Sequence, residues 1–354
     1  MNRRIKMYRK NFLSDKILSW ISVALLMLLL WGAQKFLDPY LRRLLNLIAI
    51  NIIWAVTFNL IYGYTGQFSL GHAGFIAIGA YVTALLTMSP DQKAQNFFLA
   101  PCIWPLNKIQ MPFLPSLIIA LLIGALFGIL IGIPALQFRG DYMAIVTLGF
   151  SEILRVIIMN SQRVTNGSLG LKGIPEYTNL LWSWGCAIIV IYVIRRLIQS
   201  SYGRAFRAIQ DDEIAAEAIG IGAFRHKLFA FTVASMFVCL SGGLFANLIS
   251  TIDPNLFSFF LTYQVVIIVV LGGVGSITGS VIASALYVSF FELLRPFDAT
   301  IKIGALMLPG RPGTRMVIIS ILFIIVIFFY RQGLMGSKEF SWQWLRTKLY
   351  RRGT

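Results

Sequence analysis

Long apolar runs, broken by short polar or basic stretches, recur along almost the whole chain. They lie near 17–33, 44–61, 68–88, 114–136, 142–159, 180–198, 228–250, 256–271, 276–294 and 316–330. Each approaches the ~20 helical residues that cross a bilayer, and none shows the dyad alternation of a transmembrane barrel strand. Inside hydrocarbon every backbone polar group must be paired within its own segment, so the pattern predicts an all-α polytopic membrane protein of about ten helices. Two glycine-rich segments interrupt the runs and predict broken or re-entrant helices.

Composition agrees, since 57% of the 354 residues are hydrophobic and 13% charged. No soluble core would hide so much apolar surface. The chain divides into a basic stretch over 1–16, one transmembrane unit over 17–330 with a polar loop at 199–227, and a basic tail over 331–354. The first run resembles a signal peptide, but no small-residue cleavage site follows it, so it reads as a retained helix.

Lys and Arg flanking spans stay on the cytoplasmic side. The N-terminus, the loop from Arg195 to Lys227 and the tail after Tyr330 are the basic segments, and ten spans place all three on that side. Arg42 and Arg43, and Arg295, Lys302, Arg311 and Arg315, fall on the wrong side and leave a missed or re-entrant segment as the alternative. The formal net charge of +17 is scattered over these loops, which points to topology and anionic lipid and away from nucleic acid.

Catalytic chemistry finds little footing. Cys102, Cys186 and Cys239 are isolated, and His72 and His226 are the two histidines, so neither a metal site nor a redox motif is expected. No Gly-Lys pair exists to begin a phosphate-binding loop, nor is there a Gly-x-Ser-x-Gly elbow. The sequon at Asn166 carries no weight. The expectation is a non-enzyme without a cofactor of its own.

The glycine-rich segments are Gly63 to Gly74 and Gly272 to Gly279. Glycine costs a helix about 1 kcal/mol per residue, so clustering at membrane depth predicts breaks whose freed N–H and C=O groups face a pathway or a re-entrant turn. Gly66, Gln67, Ser69, Gly71 and His72 in the first, with Gly272, Gly273 and Gly275 in the second, are the candidate substrate-pathway residues. Close helix packing is the competing reading for each glycine. The segments lead into similar small-residue helices from Phe75 and Ser280, a weak internal repeat.

Few charges lie within spans. Glu152 with Arg155, and Glu292 with Arg295, are spaced to neutralise one another. Asn51 and Asn59 share a helix face and are expected to bridge helices. His72 is expected to be structural, bonding a freed carbonyl, with a place on the substrate path as the other reading.

The loop from Gly203 to Gly222 should fold into a short helix. Asp211 or Asp212 caps it, Glu213 sits in its first turn, Ala216 and Glu217 in its body, and Gly220 or Gly222 ends it. Arg207 is placed to pair with Asp211 across the preceding turn. A capped helix between two spans suits force transmission from a soluble partner; an ordinary ordered loop is the plainer alternative.

At this point the chain resembles the LivM-type permeases of branched-chain amino acid ABC importers. The resemblance rests on Gly63-Tyr-Thr-Gly-Gln-Phe-Ser-Leu-Gly-His-Ala-Gly-Phe75, the stretch Gly132 to Arg155, the Gly203 to Gly222 loop, Leu271-Gly-Gly-Val-Gly-Ser276 and Arg331-Gln-Gly-Leu334. It implies a coupling helix around Ala215 to Gly220 that docks on an ATPase, with Glu217 and Gly220 in its core. It further implies a second homologous permease, two ATPases holding ATP and Mg, an external substrate-binding protein, and a bacterial-type inner membrane. Two loops, Ser89 to Pro115 and Pro296 to Thr314, depart from compact relatives. A urea or short-amide importer and an ion-coupled secondary transporter are the alternative functions.

Overall fold

In a computed structural model of the protein, residues 18, 21–138, 140–298, 301–303, 306–308, 313–330, 332–336 and 338–339 are described. The first half runs through α1 (Ile21–Phe36), α2 (Pro39–Thr65), α3 (His72–Thr87), α4 (Pro90–Asn96), α5 (Phe113–Ala135), α6 (Asp141–Asn160) and α7 (Gln162–Thr165). The second runs through α8 (Leu180–Gln199), α9 (Ser201–Asp211), α10 (Glu213–Ala218), α11 (Ala223–Ile249), α12 (Phe259–Gly272), α13 (Ile277–Leu293) and α14 (Thr314–Phe329). Every apolar run read from the sequence falls on one helix, and α4, α7, α9 and α10 lie between runs. The fold is that of an all-α polytopic membrane protein.

Helices α2, α5, α6, α8 and α11 are long and apolar enough to cross a membrane by themselves. The 16 residues of α3 and the 14 of α12 reach only about 24 and 21 Å, short of a hydrocarbon core of about 30 Å. Both short helices adjoin a glycine-rich break, whose non-helical chain covers part of the missing depth.

The core forms around α2, α3, α5 and α11, with Trp54 and Phe58 of α2 fully buried. Small residues bring these backbones together. A Cβ on Gly79 would lie 1.8 Å from the Cys239 carbonyl, and one on Gly242 would lie 2.2 Å from that of Ile76. In lipid, where helix association gains nothing from water release, such close approach is a main source of attraction.

At one end of the bundle, loops form a cap. Strand β1 (Leu171–Lys172) pairs antiparallel with β2 (Thr251–Ile252). The insertion 89–115 is folded onto this end: Ser89 and Gln92 close a capping box on α4, and Asn96 exchanges hydrogen bonds with Lys172 (2.9 and 2.7 Å). Lys93, 1% exposed, donates to the carbonyls of Leu106 (2.8 Å) and Ile109. Burial pulls its pKa below the ordinary lysine range, with the nearby Cys102 pulling the other way. The other departing loop contains the hairpin of β3 (Ile301–Ile303) and β4 (Leu306–Leu308).

The charges that resisted the topology rule are partly explained there. Glu292 accepts from Arg295 (3.0 Å) and from the Tyr40 hydroxyl (2.8 Å), and the Arg315 guanidinium lies 4.2 Å from the Phe291 ring. Arg295 and Arg315 are thus held by neighbours on the bundle itself. Arg311 and the side chain of Lys302 lie outside the described residues, as do the basic stretches 1–16 and 340–354.

Candidate functional site

The first glycine-rich segment ends α2 and starts α3 at the bundle end opposite the cap. Gly66 adopts φ +68°, a left-handed conformation that glycine takes without strain, and Gln67 N–H returns to the Ile61 carbonyl (3.1 Å) to close the helix. The chain then runs without helix to His72. Thr147 of α6 anchors this run, its hydroxyl accepting from Leu70 N–H (2.9 Å). Ser69 is buried, and its hydroxyl accepts from Gly71 N–H (3.4 Å). The Gln67 side chain is 3% exposed, yet neither its Oε1 nor its Nε2 has a hydrogen-bond partner. An unpaired buried amide is costly, which singles out Gln67 within the segment.

His72 differs from expectation. Its Nε2 lies 3.4 Å from the Thr57 hydroxyl, and its ring packs on Phe58 with centroids 5.2 Å apart. The partner is therefore a side chain of α2 and not a freed carbonyl.

The second segment joins α12 to α13, and its freed backbone groups do not stand open. Leu334 and Met335 N–H groups bond the carbonyls of Leu271 (2.8 Å) and Gly272 (3.1 Å). The Glu339 carboxylate accepts from Ile277 N–H (2.6 Å), Thr278 N–H (3.1 Å) and the Thr278 hydroxyl, while Ser276 Oγ accepts from Gly279 N–H (3.0 Å). Leu334, Met335 and Glu339 thus satisfy both a helix C-terminus and a helix N-terminus, and a carboxylate at an N-terminus also meets the helix dipole favourably. The glycines make this docking close. Gly273 sits at φ +113°, and a Cβ there would lie 2.4 Å from the Gly336 carbonyl.

The two segments also meet each other. A Cβ on Gly63 would lie 2.5 Å from Gly275 N, and Gly275 N–H donates to Asn59 Oδ1 (2.8 Å). Asn59 Nδ2 bonds Ser276 O (2.9 Å) and Ser280 Oγ (2.8 Å), and Asn51 Oδ1 accepts from Gln264 of α12 (3.2 Å). Both asparagines bridge helices, as expected.

The polar loop lies beside these breaks. It holds two helices where one was expected: residues 201–211, ahead of the expected helix, form α9, whose Phe206 and Ile209 are buried. Asp212 is the cap of α10, accepting from Ile214 N–H (2.9 Å) and Ala215 N–H (3.0 Å). Glu213 pairs with Lys227 (2.6 Å), Ala216 packs with Ile209 and Ala223, and Gly220 at φ +88° ends the helix. Arg207 does not pair with Asp211. Its guanidinium lies 5.8 Å from the Tyr64 ring, because α9 packs on the end of α2 and brings Arg207 beside it. Gly66 in turn faces Gln210.

The outward face of α10 is unusual for its setting. Ile214 is 71% and Ile219 76% exposed, with Glu217 also exposed between them. Tyr64 and Glu339, 3.2 Å apart, escaped the sequence reading. One signal was available for the second: Glu339 is the sole acid in the basic stretch 331–354. The pairs Glu152–Arg155 (2.7 Å) and Glu292–Arg295 (3.0 Å) form as their spacing predicts.

Comparison with known proteins places this arrangement. A model of the family described as branched-chain amino acid transport system / permease component matches residues 40–327. The high-affinity branched-chain amino acid transport system permease protein LivM of Salmonella typhimurium is 33% identical over 294 residues, covering 73% of this chain and 65% of the relative. Its Escherichia coli namesake is 33% identical over 298 residues, 74% and 66% of the two chains. The probable branched-chain amino acid transport permease protein LivM of Methanocaldococcus jannaschii is 23% identical over 337 residues, 83% and 94%. The chain thus spans just under two thirds of the length of the two bacterial relatives. No solved structure matches it. With the family model covering most of the chain, this protein belongs to the permease-component family of branched-chain amino acid transport systems.

Proposed function

We propose that the chain is one permease subunit of an ABC importer, forming half of the pathway for branched-chain or other neutral amino acids. The observation that carries this reading is α10: a capped helix presenting Ile214, Glu217 and Ile219 to solvent at the end where both breaks converge. Two large aliphatic side chains flanking a charge on a rigid, exposed helix form a small docking knob for a soluble protein. In this reading the α10 end is cytoplasmic, in keeping with Arg195, Arg196, Arg204 and Arg225 around it. The cap end then faces an external binding protein. Partner ATPases hold ATP and Mg, push on α10 and α9, and switch this chain and a second permease between outward- and inward-facing states through contacts that differ in the two.

The buried, unpaired amide of Gln67 supports a pathway role for the first break, because an amide offers both a donor and an acceptor to a zwitterion. Gly66, Ser69, Gly71 and His72 shape the wall that holds it. Glu152 and Glu292 are each ion-paired, which favours an ATP-driven device over an ion-coupled one, where unpaired acids carry the driving ion.

The test is co-purification from mild detergent with native partners, followed by ATPase assays across neutral amino acids and urea. The expected result is an associated ATPase stimulated by leucine-like substrates, and Glu217→Lys protein that inserts but neither holds the ATPase nor transports. Normal ATP-dependent uptake by Glu217→Lys sinks the coupling role of α10, and stimulation by urea alone replaces the cargo.

A further inference from the structure

The break between α12 and α13 is completed by residues far away in sequence. The last carbonyls of one helix and the first N–H groups of the next have no partner within either helix. Here the carbonyls of Leu271 and Gly272 receive Leu334 and Met335 N–H, and the N–H groups of Ile277 and Thr278 reach the two oxygens of Glu339. Ser276 Oγ adds a bond to the Lys338 carbonyl (2.9 Å). The backbones of Gly273, Gly333 and Gly336 are in direct contact: Cβ atoms on Gly273 and Gly333 would lie 2.4 Å from Gly336 O and 2.6 Å from Gly273 N.

The same carboxylate reaches beyond the break. Glu339 Oε1 accepts from the Tyr64 hydroxyl at the end of α2 (3.2 Å), and the Tyr64 ring carries the Arg207 guanidinium of α9 at 5.8 Å. Helix α9 leads directly into α10 through the cap residue Asp212. A continuous set of contacts therefore runs from α10 through α9, Arg207, Tyr64 and Glu339 to the N-terminus of α13. Within this set the Tyr64 ring is buried, while Arg207 and Glu339 lie at the exposed end of the bundle.

We propose that residues 332–336 and 338–339 form a latch, and that Glu339 is the positioning residue through which movement of the α9–α10 unit is passed to the broken helix pair α12–α13. The inference rests on the reading of α10 as the ATPase-docking helix. Arg207 and Tyr64 belong to the mobile side of the latch and the N-terminus of α13 to the driven side. When α9 shifts, Tyr64 and Glu339 shift with it, and α13 turns about the Gly273–Gly275 hinge. Without the carboxylate, α9 moves and α13 does not follow.

The experiment measures leucine carried per ATP hydrolysed, in proteoliposomes holding the full chain with its co-purified native partners. Glu339→Ala is expected to keep membrane abundance and ATPase association but to lower that ratio by about 5-fold or more, the scale of a typical coupling free energy. Tyr64→Phe, which loses one hydroxyl and no packing volume, is expected to lower it in the same direction by less. Adding it to Glu339→Ala is expected to bring no further loss, since both residues act on one path. An unchanged ratio in Glu339→Ala overturns the latch, as does a fall in transport matched by an equal fall in abundance with the ratio intact in Tyr64→Phe. An ATPase that fails to associate with wild-type protein overturns the coupling reading, and the latch with it; association that survives while the ratio stays put overturns the latch alone.

Discussion

The side-chain carbonyl of Asn59 accepts the N–H of Gly275 at 2.8 Å, across 216 residues of sequence. The same amide donates to Ser276 O and Ser280 Oγ, so one fully buried side chain fixes α2 against the start of α13. Asn59→Leu keeps the volume and removes all three bonds. Each buried group left unpaired costs about 1–3 kcal/mol. The expected outcome is a clear drop in apparent melting temperature in detergent, read by fluorescence-detected gel filtration. An unchanged midpoint contradicts the bridging role.

Gly63 and Gly66 stand three residues apart and should respond differently to alanine. At Gly63 the new Cβ meets Gly275 N at 2.5 Å and the Asn59 side chain, so α2 and α13 must separate. At Gly66 the nearest atom is 3.5 Å away, and the cost is the left-handed backbone alone, about 1 kcal/mol. Gly63→Ala is expected to lower the amount of folded protein recovered from membranes severalfold while Gly66→Ala changes it little. Equal recovery of the two contradicts the close approach of the helix ends.

The α10 knob makes separable predictions. Asp212→Ala removes the cap and should weaken α10 by about 1 kcal/mol, moderating ATPase association without abolishing it. Ile214→Asp or Ile219→Asp leaves the fold alone, because both side chains already face solvent. These two are expected to abolish ATPase capture in a pull-down at unchanged abundance. Capture at wild-type levels by the Ile214→Asp, Ile219→Asp double variant rules out the knob as the docking surface.

Lys93 gives the cap end a dependence on pH. Burial lowers its folded pKa, so between that value and the unfolded value near 10.5 the unfolded chain binds more protons than the folded one. Stability from this group therefore rises with pH across that interval and is lowest where the lysine is charged. Cys102, whose pKa burial raises, opposes it above the ordinary thiol range. In a Cys102→Ala background, the melting temperature measured against a matching Lys93→Met control should climb as pH approaches 10.5. A difference that is flat or falling in that range contradicts the burial of Lys93.

Much of this was legible in the sequence. Apolar runs marked the ten apolar helices, α1 to α3, α5, α6, α8 and α11 to α14, because hydrocarbon leaves a backbone no other way to pair itself. Spacing alone paired Glu152 with Arg155 and Glu292 with Arg295, since neighbours on a helix surface lie three or four residues apart. The cap of α10 was narrowed to Asp211 or Asp212 and its end to Gly220 or Gly222 for equally local reasons, and the fold selects Asp212 and Gly220. The second helix of that loop, α9, was missed because beyond Phe206 and Ile209 its buried positions are the small Gly203 and Ala205, which leave a weak apolar stripe.

What only the tertiary structure decided is which freed groups stay free. The sequence marks two glycine-rich breaks but is silent on their partners. Folding brings Leu334, Met335 and Glu339 onto the second break and leaves the Gln67 side chain unpaired at the first. It also turns Arg207 from Asp211 toward Tyr64, and gives His72 a hydroxyl in place of a carbonyl. Local pattern determines a helix, its ends and its i,i+3 pairs, because those depend on a few adjacent dihedrals. A contact between Tyr64 and Glu339 depends on every helix packed between them, and no window of sequence contains it.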